Sequence, residues 1–338
     1  MISGCPLSDI CRKNEDTNKM HTAVVIDDLA HGYPPIAYEM GLPDLTVLAA
    51  TNIEEAADLL PKADIVLTGP GTVKNLEHAA PHISWAMTLY VGVEALTWDR
   101  TDPYPFTITQ PKGVFGPQMA EYAMIHFGII RRKSNQVYQW QREHVWMARH
   151  GEGRIGGLGR TLGVLGYGSI GQEVGRKAKA YDMNVHACVR TSKNHLPKHA
   201  DRVFTVDQID DFMDSIDDLV MVVPYTKDSR QLLRGSHLDR LKDGAIFLSM
   251  GRGKTVHQAE LTQFLANRPE VSAVLDVFEK EPLPDDNPLW DMPNVIVTSH
   301  NAGLRSYPDT VMPVFAANYR RFIAGEQLDG VVDFERGY

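Results

Sequence analysis

Cysteine is scarce in this chain of 338 residues: Cys5, Cys11 and Cys188 are all it has. Three are too few for a disulfide framework, so a reducing compartment and a cytoplasmic protein are expected. Cys5 and Cys11 with His21 match no common zinc spacing, and no metal site is expected from them. Long hydrophobic runs are missing too, and no stretch approaches a membrane span. The opening residues 1–20, MISGCPLSDICRKNEDTNKM, contain no segment of the signal-peptide kind and read as a polar tail. Positive charge is in deficit: 34 Lys and Arg against 43 Asp and Glu leave a net charge of -9. That balance argues against a nucleic-acid or membrane-surface role resting on a broad basic face.

What is present is the composition of a globular protein, 43% hydrophobic and 23% charged, with enough length for two domains. Short apolar runs alternate with helix-like segments. TAVVID (22–27), DIVLT (64–68) and FTIT (106–109) read as strands, and NIEEAADLL (52–60) as a helix. The alternation tightens further on, with strands expected at NVHACV (184–189), LVMVVP (219–224), AIFLSM (245–250), SAVLDVF (272–278) and NVIVTS (294–299). Helices are expected at HQAELTQFLANR (257–268) and PDTVMPVFAANYRRFIAGE (308–326). Continuous apolar strands alternating with helices imply a parallel sheet buried on both faces. The chain end VVDFERGY has no partner strand of its own, and a return onto the first domain would make that domain discontinuous.

The stretch LGVLGYGSIG (162–171) places Gly166, Gly168 and Gly171 after a strand-like run and before a helix-like one. Helical periodicity continues through Ile170, Val174, Ala178 and Tyr181. Three glycines alone are a weak signal, but strand, turn and helix in this order are what a dinucleotide fingerprint requires. The first glycine makes the turn, the second admits the pyrophosphate, and the third lets helix pack on strand. Ser169 and Ile170 then stand at the helix N-terminus, where backbone N–H groups favour an anion. At the end of the next strand an acid usually bonds the ribose 2′-hydroxyl of NAD. That place falls near Val189, and the chain reads VRTSK instead, with Arg190, Thr191 and Ser192. A guanidinium and hydroxyls suit a 2′-phosphate, so NADP(H) is expected over NAD(H). A solvated basic turn is the plainer alternative.

Three further stretches, SMGRGKTVHQAEL (249–261), VLDVFEKEPLP (274–284) and VTSHNAG (297–303), follow in order. Together with VPYTKDSRQLL (223–233), YVGVEAL (90–96), QMAEYAMIHFGIIRRK (118–133) and VVDFERGY, they resemble the D-isomer-specific 2-hydroxyacid dehydrogenases. The likeness runs from about residue 60 to the C-terminus. Ser299 stands where proline commonly precedes the histidine, and Gly251 where alanine is common before the arginine. The resemblance implies an α/β fold of two Rossmann-like doubly wound parallel-sheet domains with an active-site cleft between them. The substrate domain would comprise residues 1–115 and 305–338, and the dinucleotide domain residues 116–304. It implies a homodimer, to which SNQVYQWQREHVWM (134–147), with Trp140 and Trp146, would contribute an arm. It also adds Val223, Pro224, Met250, Asp276 and Ala302 to the cofactor contacts, with Asp276 facing the nicotinamide carboxamide.

Reducing a 2-keto acid requires a hydride at carbon, a proton at oxygen and a held carboxylate. Arg252 suits the holding role, since its planar fork grips a carboxylate, and the glycines on either side suggest close ligand approach. A surface salt bridge is its plainer alternative. The chain has 13 histidines, most of them structural on general grounds, but His300 closes a strand where ligands of open sheets gather. It suits proton transfer. Glu281 would orient His300 and favour its charged form. Glu279 is the near rival, read as a solvated charge. Val91 and Gly92 would offer amides to the substrate carboxylate, while Met87, Tyr90 and Met119 either shape the substrate pocket or belong to the core. His195 and His199 flank Pro197, which disfavours a helical pair of ligands.

The expectation is an NADPH-dependent 2-keto acid reductase making D-2-hydroxy acids, with glyoxylate, hydroxypyruvate or bulkier keto acids as substrates. One alternative is formate or phosphite oxidation, although a formate enzyme of this fold would pair its histidine with glutamine. Another is a non-enzymatic dinucleotide-sensing corepressor on the same scaffold.

Overall fold

The computed structural model describes residues 20–100, 102–146, 157–191, 195–303 and 307–338. Cys5, Cys11, most of the polar tail and Ser192 lie outside them. The chain forms two compact units. One holds the residues up to Pro111 together with Ser306–Phe334, and the other holds Lys112–Arg305 with Glu335–Tyr338. The fold is α/β, with a parallel sheet in each unit.

In the first unit the strands are β1 (His21–Ile26), β2 (Leu45–Ala50), β3 (Ile65–Thr68), β4 (Trp85–Thr88) and β5 (Thr107–Thr109), ordered β2-β1-β3-β4-β5. Successive side chains point to opposite faces, so each strand feeds two cores. Val24, Ile26, Val66 and Ala86 pack on one side. Ala23, Val25, Ile65, Leu67, Trp85 and Met87 pack on the other, under Val311, Met312, Phe315 and Tyr319 of the Pro308–Ile323 helix. Trp85 stacks on Phe315 with ring centroids 5.2 Å apart, and its Nε1 donates to Thr109 Oγ1 at 2.8 Å. Met87 is therefore core. The chain end does find a partner: Val331 bridges Thr109 antiparallel, and the Val332 amide donates to the Ile108 carbonyl at 2.9 Å. Val332 and Phe334 join the first of the two cores.

The expected helix over 52–60 is shorter. It runs only from Ile53 to Ala56, and a 3₁₀ turn follows at Leu60–Lys62. Asn52 caps its start by accepting the Glu55 amide at 3.0 Å.

The second unit contains β6 (Thr161–Leu165), β7 (Asn184–Val189), β8 (Arg202–Thr205), β9 (Asp218–Met221), β10 (Ile246–Ser249), β11 (Ser272–Leu275) and β12 (Val295–Val297). They lie in the order β12-β11-β10-β9-β6-β7-β8. The order reverses between β6 and β9, and ligands of such sheets bind outside the carboxyl ends at that point. The opposite edge is fixed by Asp218, which is fully buried and pairs with Arg160 at 2.8 Å and with Arg131. Arg131 ends the Gly116–Arg131 helix, so this cluster ties that helix to the sheet. Among the described residues, no helix is long and apolar enough to cross a membrane.

Candidate active site

Every described residue expected to act in the second unit, apart from Met119 on its helix, follows the C-terminal end of a strand. Gly166–Gly171 follow β6, Arg190 follows β7, Val223–Pro224 follow β9, Met250–Arg252 follow β10, Asp276–Glu281 follow β11, and His300–Ala302 follow β12. Several expected strands are shorter than their apolar runs for this reason: the chain leaves the sheet to build loops on one edge.

The glycine turn has the shape its sequence implies. Gly166 has φ +99°, and a Cβ there would come within 2.7 Å of the Val222 carbonyl. A Cβ at Gly171 would lie 2.4 Å from the Gly166 carbonyl. Gly168 is the opposite case, since a Cβ there would meet nothing within 4 Å. It caps the Ser169–Ala180 helix, whose Val174, Gly175 and Ala178 are buried. Tyr181 lies beyond the helix end and is exposed. The first helix amides, at Ser169 and Ile170, have no intrahelical acceptor. Open space at Gly168 and a helix N-terminus beside it fit a pyrophosphate.

At the end of β7, Arg190 and Thr191 are exposed. Arg190 Nη2 donates to Asp228 Oδ2 at 2.7 Å. Asp228 sits in a turn after β9 that begins at buried Val223 and exposed Pro224. Ser229 tightens this turn, its Oγ donating to the Pro224 carbonyl at 2.6 Å and accepting the Thr226 amide at 2.8 Å. Asp228 lies within the VPYTKDSRQLL stretch, but nothing in the sequence pairs it with Arg190.

His300 has φ +52°, in the left-handed region that non-glycine residues adopt uncommonly, histidine more readily than most. Asp276 holds it there. This residue is 1% exposed. Its carbonyl accepts the His300 amide at 2.9 Å. Its carboxylate accepts Thr298 Oγ1 at 2.6 Å, the Asn301 amide at 2.8 Å and the Ala302 amide at 2.9 Å. Thr298 gives its one proton to Asp276, so the Tyr122 hydroxyl, 2.6 Å away, donates to Thr298. Burial pushes the Tyr122 phenol well above its ordinary range, outweighing that hydrogen bond, and the Asp276 charge adds to the rise. Sequence reasoning does not single out Thr298 or Tyr122; a hydroxyl two residues before the histidine is the available signal. Asp276 is thus a positioning residue within the chain.

His300 Nδ1 meets Glu281 Oε2 at 2.7 Å, and Glu281 Oε1 accepts the Phe278 amide at 2.9 Å. With Nδ1 engaged, Nε2 is the ring atom placed to exchange a proton with a ligand. The Glu281 hydrogen bond and charge hold the imidazole above its ordinary pKa, against burial and the positive charge of Arg252. Burial opposes ionisation of Glu281, but the His300 and Phe278 hydrogen bonds prevail and keep its carboxyl below the usual range. Glu279 is not a solvated charge. It is half-buried and engages the start of the Gln258–Asn267 helix, accepting the Gln258 amide at 3.1 Å while its own amide donates to Gln258 Oε1 at 2.9 Å.

Arg252 is half-buried, and its Nη1 donates to the Gly251 carbonyl at 2.9 Å. The glycines beside it have a different cause from the one expected. A Cβ at Gly251 would lie 2.7 Å from the Val223 carbonyl, and one at Gly253 would lie 1.9 Å from the Phe278 carbonyl carbon. Neighbouring backbone, not a ligand, excludes a side chain at both positions. Met250 and Ala302 are buried. Met119 is buried against Gly303, where a Cβ would lie 3.4 Å from its sulfur. In the first unit, Thr88 Oγ1 donates to the Tyr90 carbonyl at 2.7 Å, Tyr90 is exposed, and Val91 and Gly92 are half-buried.

Residues 125–302 match the family described as D-isomer specific 2-hydroxyacid dehydrogenase, NAD binding domain. The chain belongs to the D-isomer specific 2-hydroxyacid dehydrogenase family, and its second unit carries the NAD(P)-binding fold. It is 28% identical to glyoxylate/hydroxypyruvate reductase A of Serratia proteamaculans (strain 568), over 82% of this chain and 93% of that one. A family protein from Aeromonas salmonicida subsp. salmonicida A449 superposes with TM-score 0.83 and 33% identity, covering 94% of this chain and 100% of its own. A D-isomer specific 2-hydroxyacid dehydrogenase from Xanthobacter autotrophicus Py2, solved in complex with NADPH and MES, gives TM-score 0.80 and 27% identity over 94% and 100%.

Proposed function

We propose that the protein reduces 2-keto acids to D-2-hydroxy acids with NADPH as the preferred cofactor. The observation that carries this reading is the His300–Glu281 pair at 2.7 Å, with Arg252 near enough for its charge to act on the imidazole. A bound nicotinamide supplies the hydride. His300 gives a proton from Nε2 to the carbonyl oxygen, and Glu281 keeps the ring charged until it does. Arg252 holds the substrate carboxylate and draws electron density from the adjacent carbonyl. Asp276, Thr298 and Tyr122 fix the loop on which His300 turns outward.

The pyrophosphate would lie on Gly168, Ser169 and Ile170. Val223, Pro224, Met250 and Ala302 would line the cofactor, and Asp276 would meet its carboxamide. NADPH is favoured over NADH because Val189 takes the place of the usual acid and Arg190 follows it; the Xanthobacter relative was solved with NADPH. Glyoxylate and hydroxypyruvate are the first substrates to consider, on the name of the Serratia relative. Roles for Tyr90, Val91, Gly92 and Met119 toward the substrate rest on the resemblance alone. The homodimer is proposed on the Ser134–Arg142 helix, which buries none of its side chains and exposes Val137 and Tyr138, with Trp146 beyond it.

The test is a panel of glyoxylate, hydroxypyruvate and bulkier 2-keto acids, each with NADPH and NADH, with the product configuration determined. D-2-hydroxy acids and higher kcat/KM with NADPH are expected. Val189→Asp combined with Arg190→Ala should erase or reverse the cofactor preference. A wild-type enzyme that favours NADH would remove the NADPH reading while leaving the reaction class intact.

A further inference from the structure

We infer that Asp228 sets how sharply the chain discriminates a 2′-phosphorylated dinucleotide from one with a free 2′-hydroxyl. This rests on the reading of Arg190 as the residue at the 2′ position. Arg190 follows β7 and Asp228 follows β9, and β6 lies between those strands in the sheet. Their ion pair at 2.7 Å therefore joins the two loops flanking the Gly166–Gly171 turn, where the adenosine end of a dinucleotide would pass.

The pair does little for folding. Its side chains are 48% and 70% exposed, and ion pairs so open to water contribute little to stability. Its consequence is for an anion. The Asp228 carboxylate occupies Arg190 Nη2 and offsets the guanidinium charge that a 2′-phosphate would need. A phosphate bound to Arg190 must displace this carboxylate or lie beside a like charge. A ribose 2′-hydroxyl meets the reverse situation, because Asp228 is an acceptor beside the place where β7 provides none. Asp228 thus brings a carboxylate beside Arg190, near the place where β7 itself carries none. The turn around Ser229 limits how far Asp228 can retreat, since Ser229 Oγ bonds both the Pro224 carbonyl and the Thr226 amide.

Asp228→Asn keeps the shape and removes the charge. The test is calorimetric titration of the full chain, wild type and Asp228→Asn, with 2′,5′-ADP and 5′-AMP at low and high salt. The ratio of the two affinities should move toward 2′,5′-ADP by about tenfold in the variant at low salt, and by less at high salt. An unchanged ratio would overturn the inference. A ratio moving toward 5′-AMP would overturn it too, by making Asp228 a brace that aims Arg190 at phosphate. Loss of both ligands would make Asp228 structural and would overturn it as well. The wild-type ratio answers a separate question: tighter binding of 5′-AMP would count against the NADPH preference, whatever the variant does.

Discussion

His300 spends conformational energy to be where it is. A non-glycine residue at φ +52° carries strain of about 1–3 kcal/mol, and it persists because Asp276 and its partners over-determine the loop. Glu281 then sets the charge of the ring. In the proposed reduction the imidazolium is the proton donor, so activity should fall as pH rises through the His300 pKa. Glu281 raises that pKa, so the fall occurs at higher pH than for an isolated imidazole. Glu281→Gln removes the raising charge, and the alkaline limb of kcat/KM for reduction should move to lower pH. The reverse reaction needs neutral His300, so its acidic limb should move the same way. Limbs that stay fixed or move to higher pH would remove Glu281 from this role. Arg252→Ala should raise KM for the keto acid and lower kcat while leaving dinucleotide affinity nearly intact. A lost charged hydrogen bond of this kind costs about 2–5 kcal/mol. Steady-state kinetics, with fluorescence titration of the dinucleotide, check both halves.

At the scale of elements, the legible parts are those with a strong local signature. NVHACV is strand β7 to the residue, and HQAELTQFLANR holds the Gln258–Asn267 helix. Three strands are not expected from the sequence: LTVLAA, WAMT and RVFT. WAMT has no β-branched run and is buried on both faces, so it shows no alternation; RVFT is four residues at a sheet edge. Of the candidate site, the glycine turn and the His300–Glu281 pair are legible because motif spacing carries them. The contacts of Asp276 with Thr298, and of Asp228 with Arg190, are not, since they join loops 22 and 38 residues apart. The glycines beside Arg252 mislead because sequence shows that space is needed but not what fills it.

Two substitutions probe the packing of these elements. Gly253→Ala would drive a methyl into the Phe278 backbone and should destabilise by about 1–3 kcal/mol, read from denaturant unfolding. Wild-type stability in that variant would contradict the described approach of the two loops. Asp218→Ala should cost about 3–5 kcal/mol, because Arg131 and Arg160 would lose a buried counter-charge. A change below about 1 kcal/mol would show that the pair is not buried as described.

For the whole molecule, each unit is built on its own parallel sheet, and the Pro308–Ile323 helix packs in the first unit. The proposed homodimer predicts a mass in solution of twice 37.7 kDa by light scattering. Charges introduced by Val137→Glu and Tyr138→Glu should shift it toward the single-chain mass. A wild-type protein of single-chain mass would remove the dimer. In the proposed reaction His300 exchanges a proton with a 2-keto acid. The most direct test of this exchange is keto-acid-dependent oxidation of NADPH by wild type and His300→Ala, with dinucleotide binding measured on both. Turnover by wild type is expected, with a loss of about 10²–10⁴-fold in the variant and unchanged dinucleotide affinity. No turnover of any 2-keto acid by wild type, or turnover that survives His300→Ala, would contradict it.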